Sequence, residues 1–471
     1  MTPEQRETER VVAALLAPDI LDLLESEPTS VALETEELHP ADLADVAELL
    51  PRELVPRLLT ALAPARAADV LEYLDEDLRV SVLEAMEPEQ AALLLARMTP
   101  DDRADALDEM DEAVADEILD AIPERERVET ERLLQYAPDT AGGLMTTEFV
   151  SISETHTVDE ALAVVRGMAR AGRREAMYTV YVLDPLGAIT GVLSLRELLA
   201  APEGTRIADV AWTEIVSVSA TADREEVAQL TSHYDLTAIP VVDDHRRLLG
   251  VVTVDDVIDV IHEEQTEDAQ KFGGLEALEE PYLQSSFADL LRKRTPWLLV
   301  LFLGQMFTAA VMGFFEDEIT SAVVLALFIP LIISSGGNSG SQATSLIIRA
   351  MALREIGGRD WRRVMMRELG LGLVLGTMLG LVGVLRVILW QWTGLYPYGE
   401  HYLLLAVTVG TTVVGVVLFG TLTGAMLPFL LRRVGFDPAS ASAPLVATLV
   451  DVTGVILYFS IALVLLRGTI L

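Results

Sequence analysis

The sequence contains no cysteine, which excludes disulfide bonds and thiolate metal sites. Histidine is scarce, with six in 471 residues, and basic residues are few beside acidic ones. The 34 Lys and Arg stand against 73 Asp and Glu, so the net charge is −39. Such a charge repels nucleic acid and anionic lipid and attracts cations, so we predict no nucleic-acid partner. An acidity that serves only solubility is the alternative.

Sequence signs of catalysis are also missing. There is no Walker phosphate-binding loop, which argues against ATP-driven pumping. His262 stands beside Glu263 but has no nucleophile as a partner, and we interpret it as an ordinary helix residue. The sequence therefore predicts a protein that is not an enzyme.

Charge and hydropathy divide the chain into two parts. Residues 1–300 hold 64 acidic and 24 basic residues, whereas residues 301–471 hold 9 and 10. The first part is predicted to be soluble and the second to be a membrane domain. Each apolar span of the second part is long enough to cross about 30 Å of hydrocarbon. The five spans are predicted at 297–315, 322–350, 369–392, 402–431 and 443–466.

The basic residues of the second part indicate how these spans are oriented. Lys and Arg precede the first span and lie between the second and third spans and between the fourth and fifth. The other two connections contain neither residue. Because basic loops stay on the cytoplasmic side, we predict a cytoplasmic N-terminus and an external C-terminus. The location is predicted to be a bacterial-type cell (inner) membrane.

Two polar features interrupt the apolar spans. The first is the stretch PLIISSGGNSGSQAT at 330–344, and the second is Asp451 in the last span. Polar groups in hydrocarbon cost several kcal/mol unless they face protein or water, so both features predict an ion path. Helix packing is the alternative. The predicted ligands are Asp451 and Asn338, and the predicted lining residues are Gly336, Gly337, Gln342, Thr344, Pro444 and Thr448.

These motifs also carry a family resemblance. The two segments PLIISSGGNSGSQATSLIIRAMALREI and PLVATLVDVTGVILYFSIA resemble the membrane domain of the MgtE family of magnesium channels. The resemblance implies that Mg²⁺ is transported and that the protein is a homodimer in the lipid bilayer. Chemistry agrees, because Mg²⁺ prefers oxygen ligands and keeps its water, and no soft ligand lies on the path. Mn²⁺ or Co²⁺ as further substrates stay open.

Residues 1–137 are predicted to form an acidic, all-α domain of helical repeats. Pro40, Pro64 and Pro88 are spaced 24 residues apart, and each suits the first turn of a helix. Downstream, Asp102 and Asp105 are three residues apart and share a helix face. Because paired like charges destabilise a helix, we predict that they bind a cation. A solvated acidic face is the alternative.

Residues 138–262 alternate β-branched runs with helical patterns. The segment YVLDPLGAITGVLSLREL from residue 181 is repeated, with a 59-residue offset, by PVVDDHRRLLGVVTVDDV from residue 240. Asp184 corresponds to Asp243 and Gly191 to Gly250, with the second strand of each copy predicted to open at its glycine. The repeat resembles a tandem pair of α/β CBS domains, at 138–200 and 201–262.

CBS pairs often bind adenine nucleotides through Ser/Thr-x-x-Asp after the second strand. The first copy reads SLRE, which includes Arg196 and Glu197 and departs from Asp at the last position. The resemblance implies an ATP site at these two residues and the departure from Asp argues against it, so ATP stays open as a cofactor beside transported and regulatory Mg²⁺.

Residues 263–294 are predicted to form a linker helix and an amphipathic segment, with the helix ending at Gly273. In the MgtE family the corresponding helix plugs the pore, and its carboxylates bind intracellular Mg²⁺. The resemblance implies that Asp235, Asp256, Asp259, Glu264, Glu267 and Asp268 bind intracellular Mg²⁺.

The predicted fold class is thus a multidomain membrane protein. It joins an all-α repeat domain, an α/β CBS pair, a linker helix and a five-helix membrane domain at 295–471. The predicted function is a magnesium channel that intracellular Mg²⁺ closes. The alternatives are a broader divalent cation transporter and a membrane-anchored CBS sensor of metal or nucleotide. An anchor would need neither Asp451 nor the GGNSG cluster.

Overall fold

The computed structural model describes residues 3–170, 178–278, 282 and 285–469. Contacts divide the chain into two compact units, Met1–Ile261 and His262–Leu471, which are taken here in turn.

The first unit begins with a 24-residue helix, which shorter helices follow. The predicted repeat is confirmed, because helices begin at Pro40, Pro64 and Pro88, where the missing N–H costs no helix hydrogen bond. Successive repeat helices pack on one another around a leucine- and alanine-rich core. The helices are α1 Pro3–Ser26, α2 Val31–Glu34, α3 Pro40–Leu49, α4 Val55–Ala61, α5 Pro64–Glu72, α6 Glu76–Glu84, α7 Pro88–Leu95, α8 Pro100–Asp108, α9 Glu112–Ala121 and α10 Glu124–Leu133.

Two three-stranded sheets follow in the described part of this unit. In each, the first two strands run parallel and the last two antiparallel. The strands are β1 Val150–Ser153, β2 Thr179–Leu183, β3 Ile189–Ser194, β4 Val218–Ser219, β5 Ala238–Val242 and β6 Leu248–Thr253. The accompanying helices are α11 Val158–Arg170, α12 Leu195–Ala200, α13 Ile207–Val210, α14 Arg224–His233 and α15 Val254–Phe272, and α15 continues past Ile261 into the second unit.

The 59-residue repeat is visible in the sheet register. Gly191 lies opposite Val182 in one sheet, and Gly250 lies opposite Val241 in the other. The prediction that these strands open at the glycine is wrong by two residues, because β3 begins at Ile189 and β6 at Leu248. Each strand begins earlier because an aspartate at the start of the preceding turn, Asp184 or Asp243, accepts two backbone hydrogen bonds from residues of that turn.

The second unit contains the apolar helices. Among the described residues, five segments are long and apolar enough to cross a membrane: Phe287–Phe314, Val323–Ala352, Trp361–Thr393, Tyr402–Val434 and Ala443–Leu466. The helices of this unit are α16 Phe287–Phe314, α17 Glu316–Ser321, α18 Val323–Ala326, α19 Ile329–Ala352, α20 Trp361–Thr393, α21 Tyr402–Val434 and α22 Ala443–Leu466.

Two predicted boundaries change. The segment predicted to be amphipathic and the first predicted span share one helix, α16, although residues 283 and 284 of that segment lie outside the described residues. Pro296 lies within α16 without ending it. The third span starts at Trp361 rather than at residue 369, because the basic residues before it already belong to the helix.

Helix α21 is the centre of this unit and packs against α19, α20 and α22. Glycines allow the close approach: Gly336 and Gly340 of α19 meet Gly420 and Gly424 of α21, backbone to backbone. Because the hydrophobic effect does not drive helix association within lipid, the close van der Waals packing that small residues allow stabilises such crossings. The bundle therefore holds α19 and α22 side by side.

Candidate functional site

The membrane carboxylate, Asp451, lies half-buried in the middle of α22. The Nε2 of Gln305, on α16, donates a hydrogen bond of 2.5 Å to the Oδ2 of Asp451. Ser442 caps the start of this helix, and Pro444 stands in its first turn. The Asp451 side chain therefore lies on a helix whose start is capped, and one of its oxygens accepts a hydrogen bond from an amide. The Gln305 bond does not use its other oxygen, Oδ1.

The neighbouring helix α19 carries an exposed polar stripe. Ser334, Asn338 and Gln342 follow one another at four-residue intervals, and all three are exposed. The Nδ2 of Asn338 lies 3.4 Å from the Oγ of Ser334. In a membrane-spanning helix such a stripe has to face water or another protein surface. The arrangement suits the predicted roles of Asn338 and Gln342.

Other predicted lining residues are packed within the chain. Thr344 is fully buried, and its hydroxyl lies 2.9 Å from the Gly340 carbonyl oxygen and 3.0 Å from that of Gly424. Gly336 packs against α21 and Gly337 against α22. Helix packing, the alternative to an ion path, therefore accounts for these three residues in a single chain.

Thr448 and Pro444 both lie on the first turns of α22. The Thr448 hydroxyl donates a 2.9 Å hydrogen bond to the Pro444 carbonyl oxygen of its own helix, and its side chain is buried. Pro444 is half-buried. Their role as lining residues stays a prediction.

An acidic cluster lies in the first unit, where α5, α8 and the start of α15 contribute carboxylates. Thr99 donates a 2.6 Å hydrogen bond to the Oδ2 of Asp102, and Thr253 does the same for Asp256. We call Glu72, Asp102, Asp105, Glu109 and Asp256 the acidic cluster.

Burial and mutual repulsion make this cluster costly to ionise. Burial is the main cause that raises the pKa of Glu72 and of Asp105 to about 7, and the nearby charge of Asp102 is the next. Burial also raises the pKa of Asp256 to about 7, although the Thr253 hydroxyl opposes it. At neutral pH these groups therefore ionise less readily than ordinary carboxylates, and a nearby cation would favour their charged form.

The acidic cluster has one clear basic partner in the described residues. The guanidinium of Arg79 pairs with Glu109 through a 3.0 Å bond from Nε to Oε2. Its charge also acts on Asp102 and partly offsets the rise in pKa that burial causes there. Among the described residues, no three Asp, Glu or His side chains form a ready metal cage. The metal roles of Asp102, Asp105 and Asp256 stay predictions.

The predicted linker-helix ligands are placed differently. Asp259 acts electrostatically on Asp102. Glu267 is ion-paired with Lys271, whose Nζ also lies 2.7 Å from the Oδ2 of Asp437. Burial lowers the pKa of Lys271, but the two carboxylates outweigh that effect and raise it. Glu267 is therefore held by an ammonium group, and a Mg²⁺ ion would have to displace it.

Three further predicted ligands, Glu264, Asp268 and Asp235, differ in position and exposure. Glu264 and Asp268 are half-buried on α15. Asp235 is exposed just after α14, with a left-handed backbone φ of 50° that ends the helix. The metal roles of all three stay predictions.

The predicted nucleotide residues lie at the start of α12. Glu197 closes a capping box with Ser194, and its Oε1 accepts a 2.9 Å hydrogen bond from the Nε1 of Trp212. These hydrogen bonds, above all that from the Ser194 backbone, lower the pKa of Glu197. Arg196 is exposed. Both oxygens of Glu197 thus have local structural partners.

Sequence reasoning missed several members of these sites. Gln305 is a lone amide in the apolar run LFLGQMF, and Lys271 is the one Lys or Arg of α15. Both had a signal, since an isolated polar residue in an apolar or acidic stretch needs a partner. Glu72 had none, because only the fold brings α5 beside α8.

Fold and sites together define a multi-pass membrane protein that carries a carboxylate beside a polar helix face, with an acidic repeat domain and a CBS pair before it. The family described as "Divalent cation transporter" matches residues 329–461, and "MgtE intracellular N domain" matches 38–139. The CBS domain family matches 141–204 and 207–263.

Named relatives agree with these matches. The chain is 44% identical over 358 residues to the magnesium transporter MgtE of Thermus thermophilus, covering 76% of this chain and 77% of that one. It is 37% identical over 339 residues to the magnesium transporter MgtE of Enterococcus faecalis, covering 72% of each. A crystal structure of the soluble part of a magnesium transporter is 35% identical, with a TM-score of 0.50, over 54% of this chain and 99% of that one. The chain belongs to the MgtE family.

Proposed function

We propose that this protein conducts Mg²⁺ into the cell as a homodimer, along a path that Asp451 and the polar stripe of α19 line. The observation that carries this proposal is Asp451 itself, a half-buried carboxylate in an apolar helix next to the stripe. A carboxylate at that depth is costly unless a cation or water meets it. The two named relatives are magnesium transporters, which supports the choice of ion.

The surfaces that one chain leaves exposed support the proposed dimer. Asn338 and Gln342 are exposed, and α16 buries little of its apolar surface within the chain. A symmetric partner would cover α16 and enclose the polar stripe, with two Asp451 side chains about the axis. Two carboxylates around water suit an ion that keeps its hydration shell.

Orientation completes the transport proposal. The basic residues at the start of α20 and at the end of α21 belong on the cytoplasmic side. The acidic first unit, within the predicted boundaries 1–137, 138–200 and 201–262, would then sense Mg²⁺ inside the cell.

Intracellular Mg²⁺ is proposed to close the path by acting on the acidic cluster. Glu72 and Asp102 lie on the repeat helices and Asp256 on α15, so a cation that neutralises them draws these elements together. The other end of α15 reaches the membrane helices, where Phe272 packs near Ile348 of α19. One helix thus carries both the proposed sensing carboxylate and a contact to α19, the helix whose polar stripe is proposed to line the path.

The test of transport is Mg²⁺ entry into proteoliposomes with low internal Mg²⁺. We expect Asp451→Asn to fold and yet lose at least about 90% of the flux, because a neutral amide no longer attracts a divalent cation. Thr453→Ala is the matched control, since its hydroxyl bonds only to Leu449 of its own helix. Full flux through the Asp451→Asn protein would contradict the proposal, and no flux through the unmodified protein would favour the sensor alternative.

A further inference from the structure

The bond between Gln305 and Asp451 joins two different helices. Gln305 lies on α16 and Asp451 on α22, and the Nε2 to Oδ2 distance is 2.5 Å. Neither the apolar run around Gln305 nor the packing of α16 requires an amide at this position. An amide in a lipid-spanning helix is held by what it bonds, and here the partner is the proposed ion-binding carboxylate.

The residue before Gln305 explains why it reaches Asp451. A Cβ on Gly304 would stand 2.5 Å from the Cγ2 of Thr448, so only glycine lets α16 lie this close to α22. Thr448 is one helical turn before Asp451 and on the same face. The Gly304 contact therefore sets the helix separation at which the Gln305 amide meets the carboxylate.

We propose that Gln305 is a positioning and specificity residue, which occupies one oxygen of Asp451 and thereby makes the path prefer hydrated Mg²⁺ over Ca²⁺. This inference rests on the proposed transport function. Ca²⁺ binds carboxylates directly and often through both oxygens, whereas Mg²⁺ gives up its water reluctantly. An amide N–H on Oδ2 opposes two-oxygen binding and leaves Oδ1 to accept a hydrogen bond from an ion-bound water.

The first experiment compares Mg²⁺ and Ca²⁺ entry into proteoliposomes that contain the full-length protein with Gln305→Leu or Gln305→Glu. We expect Gln305→Leu to lower the Mg²⁺ over Ca²⁺ preference about 10-fold, as the loss of a charge-assisted hydrogen bond implies. The change should appear as a lower KM for Ca²⁺ with Mg²⁺ Vmax largely kept. Gln305→Glu should shift it further, since a second carboxylate offers Ca²⁺ more direct ligands.

Thr377→Val is the matched control. Thr377 is an exposed polar residue of α20 whose hydroxyl bonds only to Leu373 of its own helix, so its loss should leave the ion preference unchanged. A similar change in this control would mean that any altered polar residue of the bundle disturbs selectivity, and it would overturn the inference.

The second experiment uses the contact that sets the helix separation. Gly304→Ala should push α16 from α22 and produce the Gln305→Leu phenotype with Gln305 in place. Adding Thr448→Ser removes the Cγ2 that the new Cβ meets, keeps the hydroxyl, and should restore the preference at least partly. A restored preference is not expected of general damage to the fold.

A third measurement probes hydrated-ion binding without transport. Hexaamminecobalt(III) has a size similar to that of hydrated Mg²⁺ and presents N–H donors in place of water O–H donors. It does not exchange its ligands, so it can bind Asp451 only through charge attraction and hydrogen bonds. We expect it to block Mg²⁺ entry, and we expect Gln305→Leu to increase Ca²⁺ competition with Mg²⁺ more than it changes this block, because the freed oxygen favours direct Ca²⁺ binding.

The outcomes separate this inference from the transport proposal. Loss of flux in Asp451→Asn together with unmodified ion preference and block in all Gln305 variants would overturn the role of Gln305 alone. Normal flux in Asp451→Asn would overturn both.

Discussion

At the scale of single residues, the acidic cluster shows how burial changes the titration of an ordinary carboxylate. Asp105 and Asp108 lie on the same short helix, but Asp105 is partly buried beside Asp102 while Asp108 is exposed. Burial and the Asp102 charge raise the pKa of Asp105 to about 7. The position of the side chain, not its chemistry, therefore decides whether a carboxylate costs stability when it ionises.

We expect Asp105→Asn to stabilise the soluble fragment 1–261 at pH 8 in the absence of divalent cations, by about 1–3 kcal/mol, because it removes a charge that burial penalises. Asp108→Asn, one turn further on the exposed side of α8, should change the stability by less than about 0.5 kcal/mol. Urea unfolding followed by circular dichroism measures both. A destabilised Asp105→Asn fragment would mean that the native contacts of this carboxylate outweigh its charge.

Single residues also show where sequence reasoning ends. Asp451 and Asn338 were readable because each is polar within an apolar motif. Gln305 carried the same signal more weakly, since one amide costs less in lipid than one carboxylate. Glu72 could not be found from sequence, because its partner Asp102 is distant along the chain and only the stacking of repeat helices joins them.

At the scale of elements, glycine spacing determines how the membrane helices pack. Gly372, Gly376 and Gly380 recur every four residues along α20 and face α21. At Gly380 an added Cβ would lie 2.7 Å from the Gly410 carbonyl oxygen. That oxygen belongs to the helix backbone and cannot move aside without shifting α21. Gly370 of the same helix has open space around it. The two positions separate the effect of packing from that of helix propensity.

We expect Gly380→Ala to lower the thermal unfolding midpoint of the detergent-solubilised protein by several degrees, because α20 must move away from α21. Gly370→Ala should leave the midpoint unchanged or raise it slightly, since alanine favours the helix by up to about 1 kcal/mol. Tryptophan fluorescence during heating measures both variants. Equal midpoints for the two would show that the α20 glycines do not set the helix separation.

Elements differ in how well the sequence predicts them. The repeat helices could be located because proline marks the first turn of each one, and the CBS strands because both copies share their Asp and Gly positions. The start of α16 was misjudged, since its first turns are polar and Pro296 follows them, yet the helix runs through both. A proline in a membrane helix ends it less reliably than in water.

At the scale of the whole molecule, the uneven charge is the dominant fact. Nearly all of the net charge of −39 lies in the part before the membrane helices. Ionisation of this part costs most stability where carboxylates are both buried and close to one another, as at Glu72, Asp105 and Asp256. Under the proposed function, Mg²⁺ and protons neutralise the same cluster, and the stability of the first unit would depend on both.

The last prediction concerns this competition in the fragment 1–261. The pKa values of Glu72, Asp105 and Asp256 rise to about 7 in the folded state from ordinary values of 4.5, 3.8 and 3.8. The folded state therefore binds more protons than the unfolded state between these values, so stability falls as pH rises from about 5 to about 7 and then levels off. Millimolar Mg²⁺ should recover much of that loss at pH 8, because it binds the folded, ionised cluster. At pH 5, where protons already neutralise the cluster, the same Mg²⁺ should add little.

Urea unfolding midpoints of the fragment at pH 5 and pH 8, with and without Mg²⁺ and with K⁺ at equal ionic strength as the control, measure the effect. Equal Mg²⁺ stabilisation at pH 5 and pH 8 would place the Mg²⁺ on carboxylates outside the acidic cluster, and none at either pH would leave the acidity as a solvated surface.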